Sequence, residues 1–443
     1  MSTHPIFTGT YSTLTYLALP FVLGRMAVKG FKAPEYRKRW GERLGRPGFA
    51  PLDRSVWIHA VSVGEAQAAM PLIHALVTDY PHLKTVVTTT TPTGSALVKR
   101  QLGEQILHSY LPYDMPGFVT RFIEHINPAL TVVMETEIWP TLFVQLARRE
   151  IPLILANGRL SANSAKGYSK IRPLMSTVLN SCSKILAQSQ ADAQRFINLG
   201  TASDKVTVSG NLKFDIRLPT AQISAGRQLH QDLGPDRPVW IAASTHAGED
   251  EIMLQAHAAL RQTCPEALLI LVPRHPERFS SVYEQSVRYG FQTVRHSLKA
   301  SGWPFSVQPD VYVGDTMGEL MMFFAAADIA VVGGSFVPTG GHNVLEPASL
   351  GLPVITGDHH HNFQSIVDLL LQSNGLKVVS DHQSLAACLK SLFDSPTQRQ
   401  GMGDQAQATV QAHTGATRFT LQELAIFLEQ EPLQHNDVPI SFF

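Results

Sequence analysis

Residues suited to proton transfer and anion binding occur in three motifs of the first half of the chain. Glu65 follows Gly64, at the point where a predicted strand passes into a predicted helix. A carboxylate at the start of a helix is stabilised by backbone N–H groups and by the helix dipole. Glu65 is therefore interpreted as a general base that takes a proton from an acceptor hydroxyl group. A helix-capping glutamate is the structural alternative.

The other two motifs contain two carboxylates and a lysine. Glu135 and Glu137 stand beside a Trp-Pro pair, directly after the apolar run 130–134. They are interpreted either as acids of a first helical turn or as groups that orient a donor, an acceptor or a catalytic lysine. Lys213 lies in the segment 209–215, where a cation is suited to meet a phosphate or a sugar carboxylate. A solvated lysine is the alternative there.

Three loops in the second half have the composition of a nucleotide-binding site. Arg274 stands between two prolines of the segment 272–276, directly after an apolar run, and its guanidinium suits a phosphate contact. The segment 314–320 is a turn that leads into a helix. The segment 332–347 is rich in glycine, which lets a backbone approach a ligand closely. Asn343 and Glu346 offer hydrogen-bonding groups for ribose hydroxyls.

Several common signatures are absent from the sequence. GxGxxG does not follow the first strand, which disfavours a nicotinamide dehydrogenase, and GxxxxGK[ST] is missing, which excludes a P-loop NTPase. No Asp-x-Asp signature for a divalent metal is present. A metal site at 359–361, where three histidines are consecutive, is disfavoured because neighbouring side chains point in different directions.

Apolar strands alternate with amphipathic stretches, as in parallel sheets covered by helices on both faces. The pattern predicts an α/β fold of two doubly wound domains that face each other across a cleft, with ligands at the carboxyl ends of the strands. The predicted domains are 33–218 and 237–420, with a linker at 219–236 and a tail at 421–443. Helices are predicted at 66–78 and 92–102. The predicted strands are Val56–Val61, Thr85–Thr90, Leu130–Met134, Leu153–Ala156, Lys184–Ala187, Val206–Ser209, Val239–Ala243, Leu268–Val272, Val311–Val313, Ile329–Val332 and Val354–Ile355.

The amino-terminal region, residues 1–32, is predicted to associate with a membrane. Residues 5–24 carry no formal charge, whereas 25–46 contain eight Lys and Arg against two Glu. The apolar part would span or lie on the bilayer and the basic part would meet anionic headgroups, which leaves the bulk of the protein cytoplasmic. An ordinary buried helix is the alternative. The net charge of zero argues against a nucleic-acid-binding protein, and three distant cysteines fit a reducing compartment.

These motifs together resemble the 3-deoxy-D-manno-octulosonic acid (Kdo) transferase family. The similarity extends from about residue 33 to about residue 363. It is carried by APEYRKRWGERLG, HAVSVGE, TTTTPTGS, YLPYDMPG, METEIWP, NGRLSANSAKGY, GNLKFDI, STHAGEDE, LVPRHPERF, VYVGDTMGEL and GGSFVPTGGHNVLEPAS.

The resemblance implies a GT-B glycosyltransferase fold and inverting transfer of Kdo from CMP-Kdo to lipid IVA, in lipopolysaccharide synthesis at the cytoplasmic face of the inner membrane. Neither a metal nor a separate cofactor is implied. Glu65 matches the family's general base, and Glu137 and Lys213 match groups that support the transition state. The basic amino-terminal segment suits an acceptor that carries two phosphates. The implied CMP-binding residues are Pro273, Arg274, Met317, Gly318, Glu319, Asn343, Val344, Leu345 and Glu346.

Two other functions remain compatible with the fold. One is a transferase or epimerase that uses a UDP- or ADP-sugar, which competition between CMP and UDP would distinguish from an enzyme that uses CMP-Kdo. The other is a catalytically silent protein that only holds a nucleotide sugar or lipid at the membrane. Loss of Glu65 or Arg274 would mark such a protein, and both residues are present.

Overall fold

The chain divides into two units in the computed structural model, which describes residues 5–32, 34–216, 218–301 and 308–429. The first unit comprises the chain up to Asp215 together with the residues from Thr414 onward, and the second comprises Ile216–His413. Each unit contains one sheet of seven parallel strands.

The first unit alternates strands with helices as the sequence predicts. Its sheet has the order β3-β2-β1-β4-β5-β6-β7. The elements are α1 (Pro5–Lys32), α2 (Trp40–Arg43), β1 (Ser55–His59), α3 (Val63–Asp79), β2 (Lys84–Thr89), α4 (Pro92–Leu102), β3 (Leu107–Tyr110), α5 (Pro116–Ile126), β4 (Pro128–Met134), α6 (Pro140–Arg148), β5 (Leu153–Gly158), α7 (Ala162–Ser169), α8 (Arg172–Asn180), β6 (Lys184–Ala187), α9 (Gln190–Asn198) and β7 (Val206–Val208).

The core of the first unit lies on both faces of this sheet. Side chains alternate across a strand, so Ile58 of β1 joins the cluster under α3, whereas its neighbour Trp57 joins the opposite cluster with Phe122. All five residues of β1 are buried, which explains why the central strands are almost uniformly apolar. Helices begin where the sequence provides caps, as at Ser62 before α3 and Thr91 before α4.

A carboxyl-terminal helix, α18 (Ala416–Leu428), also belongs to the first unit. Ala416, Leu424 and Leu428 are buried in the cluster that covers one face of the first sheet. Asp215 accepts a hydrogen bond from the backbone N–H of Gly415 at 2.6 Å, which ties the start of the helix to the end of the first strand series. The second unit therefore ends at His413 and not at residue 420 as predicted, and residues 430–443 of the predicted tail lie outside the described residues.

The second unit has the sheet order β10-β11-β9-β8-β12-β13-β14. Its elements are α10 (Thr220–Leu233), β8 (Val239–Thr245), α11 (Glu249–Arg261), β9 (Leu268–Pro273), α12 (Phe279–Arg288), β10 (Thr293–Arg295), β11 (Val311–Val313), α13 (Leu320–Ala325), β12 (Ile329–Val332), α14 (Leu345–Ser349), β13 (Val354–Thr356), α15 (Gln364–Gln372), β14 (Leu376–Val378), α16 (His382–Asp394) and α17 (Pro396–Ala412).

The segment predicted as a linker, 219–236, contains α10 and is part of the second unit. Gly226 of this helix packs so closely on α13 that an added Cβ would lie 2.2 Å from the carbonyl oxygen of Met322. Leu229 is buried in the adjoining core. The polar composition that suggested a linker reflects the outer face of a packed helix.

The predicted strands all occur in the sheets, and the predicted α/β fold is confirmed. The three strands without a prediction, β3, β10 and β14, lie at sheet edges. They are three or four residues long and contain polar residues such as His108, Arg295 and Lys377. Short edge strands with one exposed side lack the continuous apolar run that marks a central strand.

Helix α1 coincides with most of the region predicted to meet a membrane. Across the described residues, no helix has both the length and the apolarity needed to cross a bilayer. Leu17, Phe21, Val28 and Phe31 of α1 are nevertheless exposed, at 66%, 81%, 65% and 78% of their surface.

Two basic side chains of the segment after α1 make hydrogen bonds within the first unit. Arg43 is buried and donates to the carbonyl oxygen of Thr90 at 2.9 Å. Arg39 donates to Ser95 Oγ at 2.9 Å and pairs with Glu42 at 2.6 Å. These two arginines therefore stabilise the fold, and the surface charge of the segment comes from its other basic residues.

Candidate active site

Glu65 is held at the carboxyl end of β1 by a reciprocal cap of helix α3. Its backbone N–H donates to Ser62 Oγ, and Ser62 Oγ donates to Glu65 Oε1 at 3.0 Å. The backbone N–H of Val61 donates to Glu65 Oε2 at 2.9 Å. The capping role and the catalytic interpretation are therefore compatible, because the cap fixes the carboxylate in one orientation.

Burial raises the pKa of Glu65 to about 7, because the charged carboxylate loses solvation. The hydrogen bond from Val61 opposes this rise, whereas the negative charges of Glu135 and Glu137 add to it. A group with this pKa exchanges its proton near neutral pH, which suits a general base. The contributions of Glu135 and Glu137 to this pKa also show that both carboxylates, which follow β4, lie within electrostatic range of Glu65.

Glu135 and Lys213 form an ion pair at the same edge of the first sheet. Lys213 Nζ lies 3.0 Å from Glu135 Oε1. Glu135 follows β4, and Lys213 lies in the 3₁₀ turn Leu212–Phe214 that follows β7. The sequence offered the orientation of a catalytic lysine as one role for a carboxylate of this motif, and Glu135 has the geometry for that role.

Glu137 lies in the same motif and has a different environment. Burial raises the pKa of Glu137, an effect that the side chain of Trp139 opposes and the charge of Glu135 reinforces. Helix α6 begins only at Pro140, so neither carboxylate belongs to its first turn. The alternative interpretation of these residues as first-turn acids is therefore wrong.

Asn157 positions the lysine turn and was not singled out from the sequence. Its Oδ1 accepts from the backbone N–H of Leu212 at 3.0 Å, next to Lys213. Asn157 and Glu135 both have positive φ angles, 54° and 55°, at the ends of neighbouring strands. Strained backbone of this kind concentrates at functional sites. The sequence signal was the pair Asn157-Gly158 at the end of an apolar run.

The candidate nucleotide-binding residues lie at the corresponding edge of the second sheet. Pro273 ends β9. The backbone N–H of Arg274 donates to the carbonyl oxygen of Thr245 at 3.0 Å, which joins the loop after β9 to the end of β8. Met317 is 54% exposed in the loop after β11. Gln222 of α10 donates to the carbonyl oxygen of Gly318 at 3.0 Å, and Glu319 lies 3.5 Å from His296.

Of the residues in the loop after β12 that are predicted to bind CMP, two have side chains buried in the core. Asn343 Nδ2 donates to Glu346 Oε1 at 3.1 Å, and Asn343 Oδ1 accepts from the backbone N–H of Leu345. Burial raises the pKa of Glu346, and the nearby charge of Arg274 opposes that rise. The side chains of Val344 and Leu345 are buried in the core, so only their backbone groups are suited to contact a nucleotide.

Three histidines that no sequence pattern marked as functional lie beside Arg274. The rings of His246 and His342 are stacked with centroids 5.0 Å apart, and their Nε2 atoms are 2.8 Å apart. His275 contacts His246 edge-on at 5.3 Å. Burial lowers the pKa of His342 to about 4, and the charge of Arg274 contributes to the lowering, so this ring is neutral at physiological pH.

Within the part of the chain that the structure describes, no group of three or more His, Cys, Asp or Glu side chains is arranged to hold a metal ion. The side chains of the first unit are suited to accept a proton and to neutralise an anion. Those of the second unit are suited to bind a phosphate and ribose hydroxyls. The roles of the individual residues stay predictions.

Comparison with known proteins identifies the family. Residues 38–216 match the family model described as 3-Deoxy-D-manno-octulosonic-acid transferase (kdotransferase). The chain is 41% identical to the 3-deoxy-D-manno-octulosonic acid transferase of Haemophilus influenzae, over 95% of this chain and 98% of that protein. It is 38% identical to that of Bordetella pertussis, over 87% of this chain and 91% of the relative.

Solved structures share the fold at low sequence identity. A UDP-GlcNAc 2-epimerase from Neisseria meningitidis has a TM-score of 0.55 at 14% identity and covers 85% of this chain and 100% of its own. HepE from Anabaena has a TM-score of 0.53 at 15% identity with the same coverage. These likenesses support the GT-B fold. The likeness to curated relatives over nearly the whole length shows that the chain belongs to the 3-deoxy-D-manno-octulosonic acid (Kdo) transferase family.

Proposed function

We propose that this glycosyltransferase moves Kdo from CMP-Kdo to lipid IVA with inversion at the anomeric carbon and without a metal ion. The observation that carries the proposal is the raised pKa of Glu65, about 7, at the carboxyl end of β1 with the Glu135–Lys213 ion pair at the same sheet edge. A buried carboxylate of this pKa at the same sheet edge as a paired lysine suits proton abstraction and anion stabilisation.

The transfer is a single displacement in this proposal. Glu65 takes the proton of the acceptor hydroxyl, whose oxygen forms a bond to the anomeric carbon of Kdo. The bond between that carbon and the phosphate oxygen breaks, and CMP leaves with the electron pair. Lys213 is suited to the negative charge of the sugar carboxylate or the leaving phosphate, and Arg274 to the phosphate of the nucleotide.

An anionic acceptor fits the charge distribution near Glu137. Residues 151–191 contain no acidic residue and five basic ones. Three basic residues are exposed there, which are Lys166 of α7, Lys170 directly after α7 and Arg172 at the start of α8. The charge of Glu137 helps to raise the pKa of Tyr168 on α7, after burial, so this helix lies within electrostatic range of the candidate site. Such a surface would attract a phosphorylated glycolipid.

Association with the cytoplasmic face of the inner membrane is the proposed location. The exposed residues Leu17, Phe21, Val28 and Phe31 recur at helical spacing and form an apolar stripe along α1. Arg25 and Lys29 are exposed on the same helix. An exposed apolar stripe beside basic side chains is the composition of a helix that lies in the membrane interface.

Vesicle binding tests the proposed location. We expect Phe21→Asp to weaken sedimentation with anionic phospholipid vesicles by severalfold, because Phe21 would lose its place in the acyl region. Ile426→Asp is the matched control, since Ile426 is also an exposed apolar residue, on α18. Equal binding by both variants would show that α1 does not contact the bilayer.

Mass spectrometry of the reaction product tests the proposed reaction. The full-length protein is incubated with CMP-Kdo and lipid IVA after treatment with a chelator. A lipid heavier by one or more Kdo units, with inhibition by CMP and not by UDP, is the expected result. An unmodified lipid with folded protein, or inhibition by UDP alone, would favour the UDP-sugar enzymes that share this fold.

A further inference from the structure

Glu249 is a charged residue in the interior of the second unit. It is the first residue of α11, it is 0% exposed, and it forms no ion pair among the described residues. A buried carboxylate without compensating partners would be strongly destabilising. Its compensation comes from the backbone. One oxygen of Glu249 accepts from the N–H groups of His246 at 2.8 Å and Gly334 at 2.7 Å, and the other from Ser335 at 2.9 Å and Phe336 at 2.8 Å.

These four N–H groups form a concave anion-binding site, which we call the backbone nest. Successive backbone N–H groups of glycine-rich loops after strands commonly bind the phosphates of nucleotides in this way. In this protein its own carboxylate occupies the nest. An added Cβ on Gly333 would lie 3.0 Å from Glu249 Oε2 and 2.9 Å from the carbonyl oxygen of Ser244, so the loop is built closely around the carboxylate.

The nest joins the two loops that carry the stacked histidines. His246 belongs to the loop after β8, and its N–H donates to Glu249. Gly334 belongs to the loop after β12, and its carbonyl oxygen accepts from the N–H of Gly341 at 2.7 Å, next to His342. The Nε2 atoms of His246 and His342 then meet at 2.8 Å beside the loop of Arg274. Displacement of Glu249 would therefore separate the loops on both sides of this histidine pair.

We propose that Glu249 is a positioning residue that fills the backbone nest in place of a phosphate and holds the loops beside Arg274, which binds the nucleotide phosphate instead. This inference rests on the proposed function, since it assumes a cytidine monophosphate donor. It assigns to residues 334–336 of the glycine-rich segment a different role from the direct ligand contact expected from the sequence. The backbone of Gly334, Ser335 and Phe336 is saturated by Glu249 and offers no free N–H to a ligand.

Calorimetric titration of the full-length protein with CMP tests the inference. Glu249→Gln keeps the size of the side chain but presents an NH₂ group to two of the N–H donors. We expect this variant to bind CMP about tenfold more weakly or worse, because hydrogen bonds to a charged acceptor are lost. Asp328→Asn is the matched control, since Asp328 accepts from the backbone N–H of Val239 at 2.8 Å at the opposite edge of the same sheet. This control should lose stability while its CMP affinity stays within about twofold of the wild-type value.

Chemical rescue separates a positioning role from a general loss of stability. Glu249→Ala leaves the backbone nest empty, and formate should refill it and restore CMP affinity, whereas formamide, which is neutral and of similar size, should not. Equal restoration by both compounds would contradict the role of the charge. If neither Glu249→Gln nor Glu249→Ala folds, Glu249→Asp is titrated with CMP instead, because its shorter carboxylate reaches fewer of the N–H donors. Unchanged CMP affinity in Glu249→Asp would overturn the inference.

The proposed function and this inference fail in different ways. Wild-type protein that does not bind CMP would overturn the proposed donor, and with it the ligand proposed for Arg274. Wild-type protein that binds CMP, together with a Glu249→Gln variant of equal affinity, would overturn the role of Glu249 alone.

Discussion

Burial raises the pKa of Glu65 to about 7, which would make its carboxylate a stronger base near neutral pH. The same burial has a thermodynamic consequence. The carboxyl group of Glu65 titrates near 4.5 in its ordinary environment and at about 7 in the folded protein. Between these values the folded protein binds more protons than the unfolded chain, so the contribution of Glu65 to stability falls as the pH rises through this window.

Glu65→Gln should therefore stabilise the protein at alkaline pH and not at acidic pH. We expect its melting temperature to exceed that of the wild type by on the order of 3 °C at about pH 8, and to match it at about pH 5, where Glu65 is protonated in the folded protein. Calorimetry over this range measures the difference. Glu104→Gln is the control, since Glu104 is exposed. A gain in melting temperature that does not depend on pH would contradict the raised pKa of Glu65 as its cause.

The Glu135–Lys213 pair should act on catalysis as a unit. We expect the turnover effects of Glu135→Gln and Lys213→Met to be non-additive by about 1–3 kcal/mol, because each change removes the same interaction. A double-mutant cycle on kcat measures this coupling. The pair Lys184–Glu423 is a matched control, with the same distance of 3.0 Å and similar exposure. Breaking it should change stability and leave turnover unaltered. Additive turnover effects at Glu135 and Lys213 would show that the pair has no joint role.

Residues that follow strands could be predicted from the sequence, whereas contacts that depend on backbone conformation or on distant loops could not. Glu65, Glu137 and Lys213 follow strands in the sequence and therefore lie at one edge of a parallel sheet, which is predictable from strand order alone. The pairing of Lys213 with Glu135 and the support from Asn157 depend on positive φ angles at two strand ends. Glu249 is bound by the backbone of a loop about 85 residues away, a contact that local sequence does not encode.

At the scale of elements, helix α18 is the feature that departs most from the order of the sequence. It follows the second unit in sequence and packs on the first, through Ala416, Leu424 and Leu428. No local pattern predicts its position, because an amphipathic helix does not reveal which core it covers. The same reasoning explains why α10 was mistaken for a linker, whereas three short edge strands were missed because they lack an apolar run.

Loss of a buried side chain from α18 should destabilise the first unit. Leu424 is 0% exposed, so Leu424→Ala should cost about 2–5 kcal/mol of unfolding free energy. Ile426→Ala, on the same helix at a residue that is 54% exposed, should cost under about 0.5 kcal/mol. Urea denaturation of the two variants provides the comparison. Similar losses in both would mean that the packing of α18 on the first unit does not contribute to stability.

At the scale of the whole molecule, the alternation of apolar strands and amphipathic helices was sufficient to predict the α/β class and two doubly wound domains. Central strands are buried on both faces and leave an unmistakable apolar run, as in β1 and β9. The identity of the donor and the acceptor does not follow from this architecture, since epimerases of low sequence identity share the fold. The chemistry depends instead on the side chains at the strand ends.

Single-turnover transfer of Kdo by wild-type protein and Glu65→Gln, measured from about pH 5 to about pH 9, tests the central claim most directly. The wild-type rate should fall as the pH decreases through about 7, where Glu65 becomes protonated. The variant should be slower by about 10²–10⁴-fold, show no such dependence, and bind CMP with unchanged affinity. A variant that transfers Kdo at the wild-type rate, or that keeps the wild-type pH profile, would contradict the assignment of Glu65 as the general base.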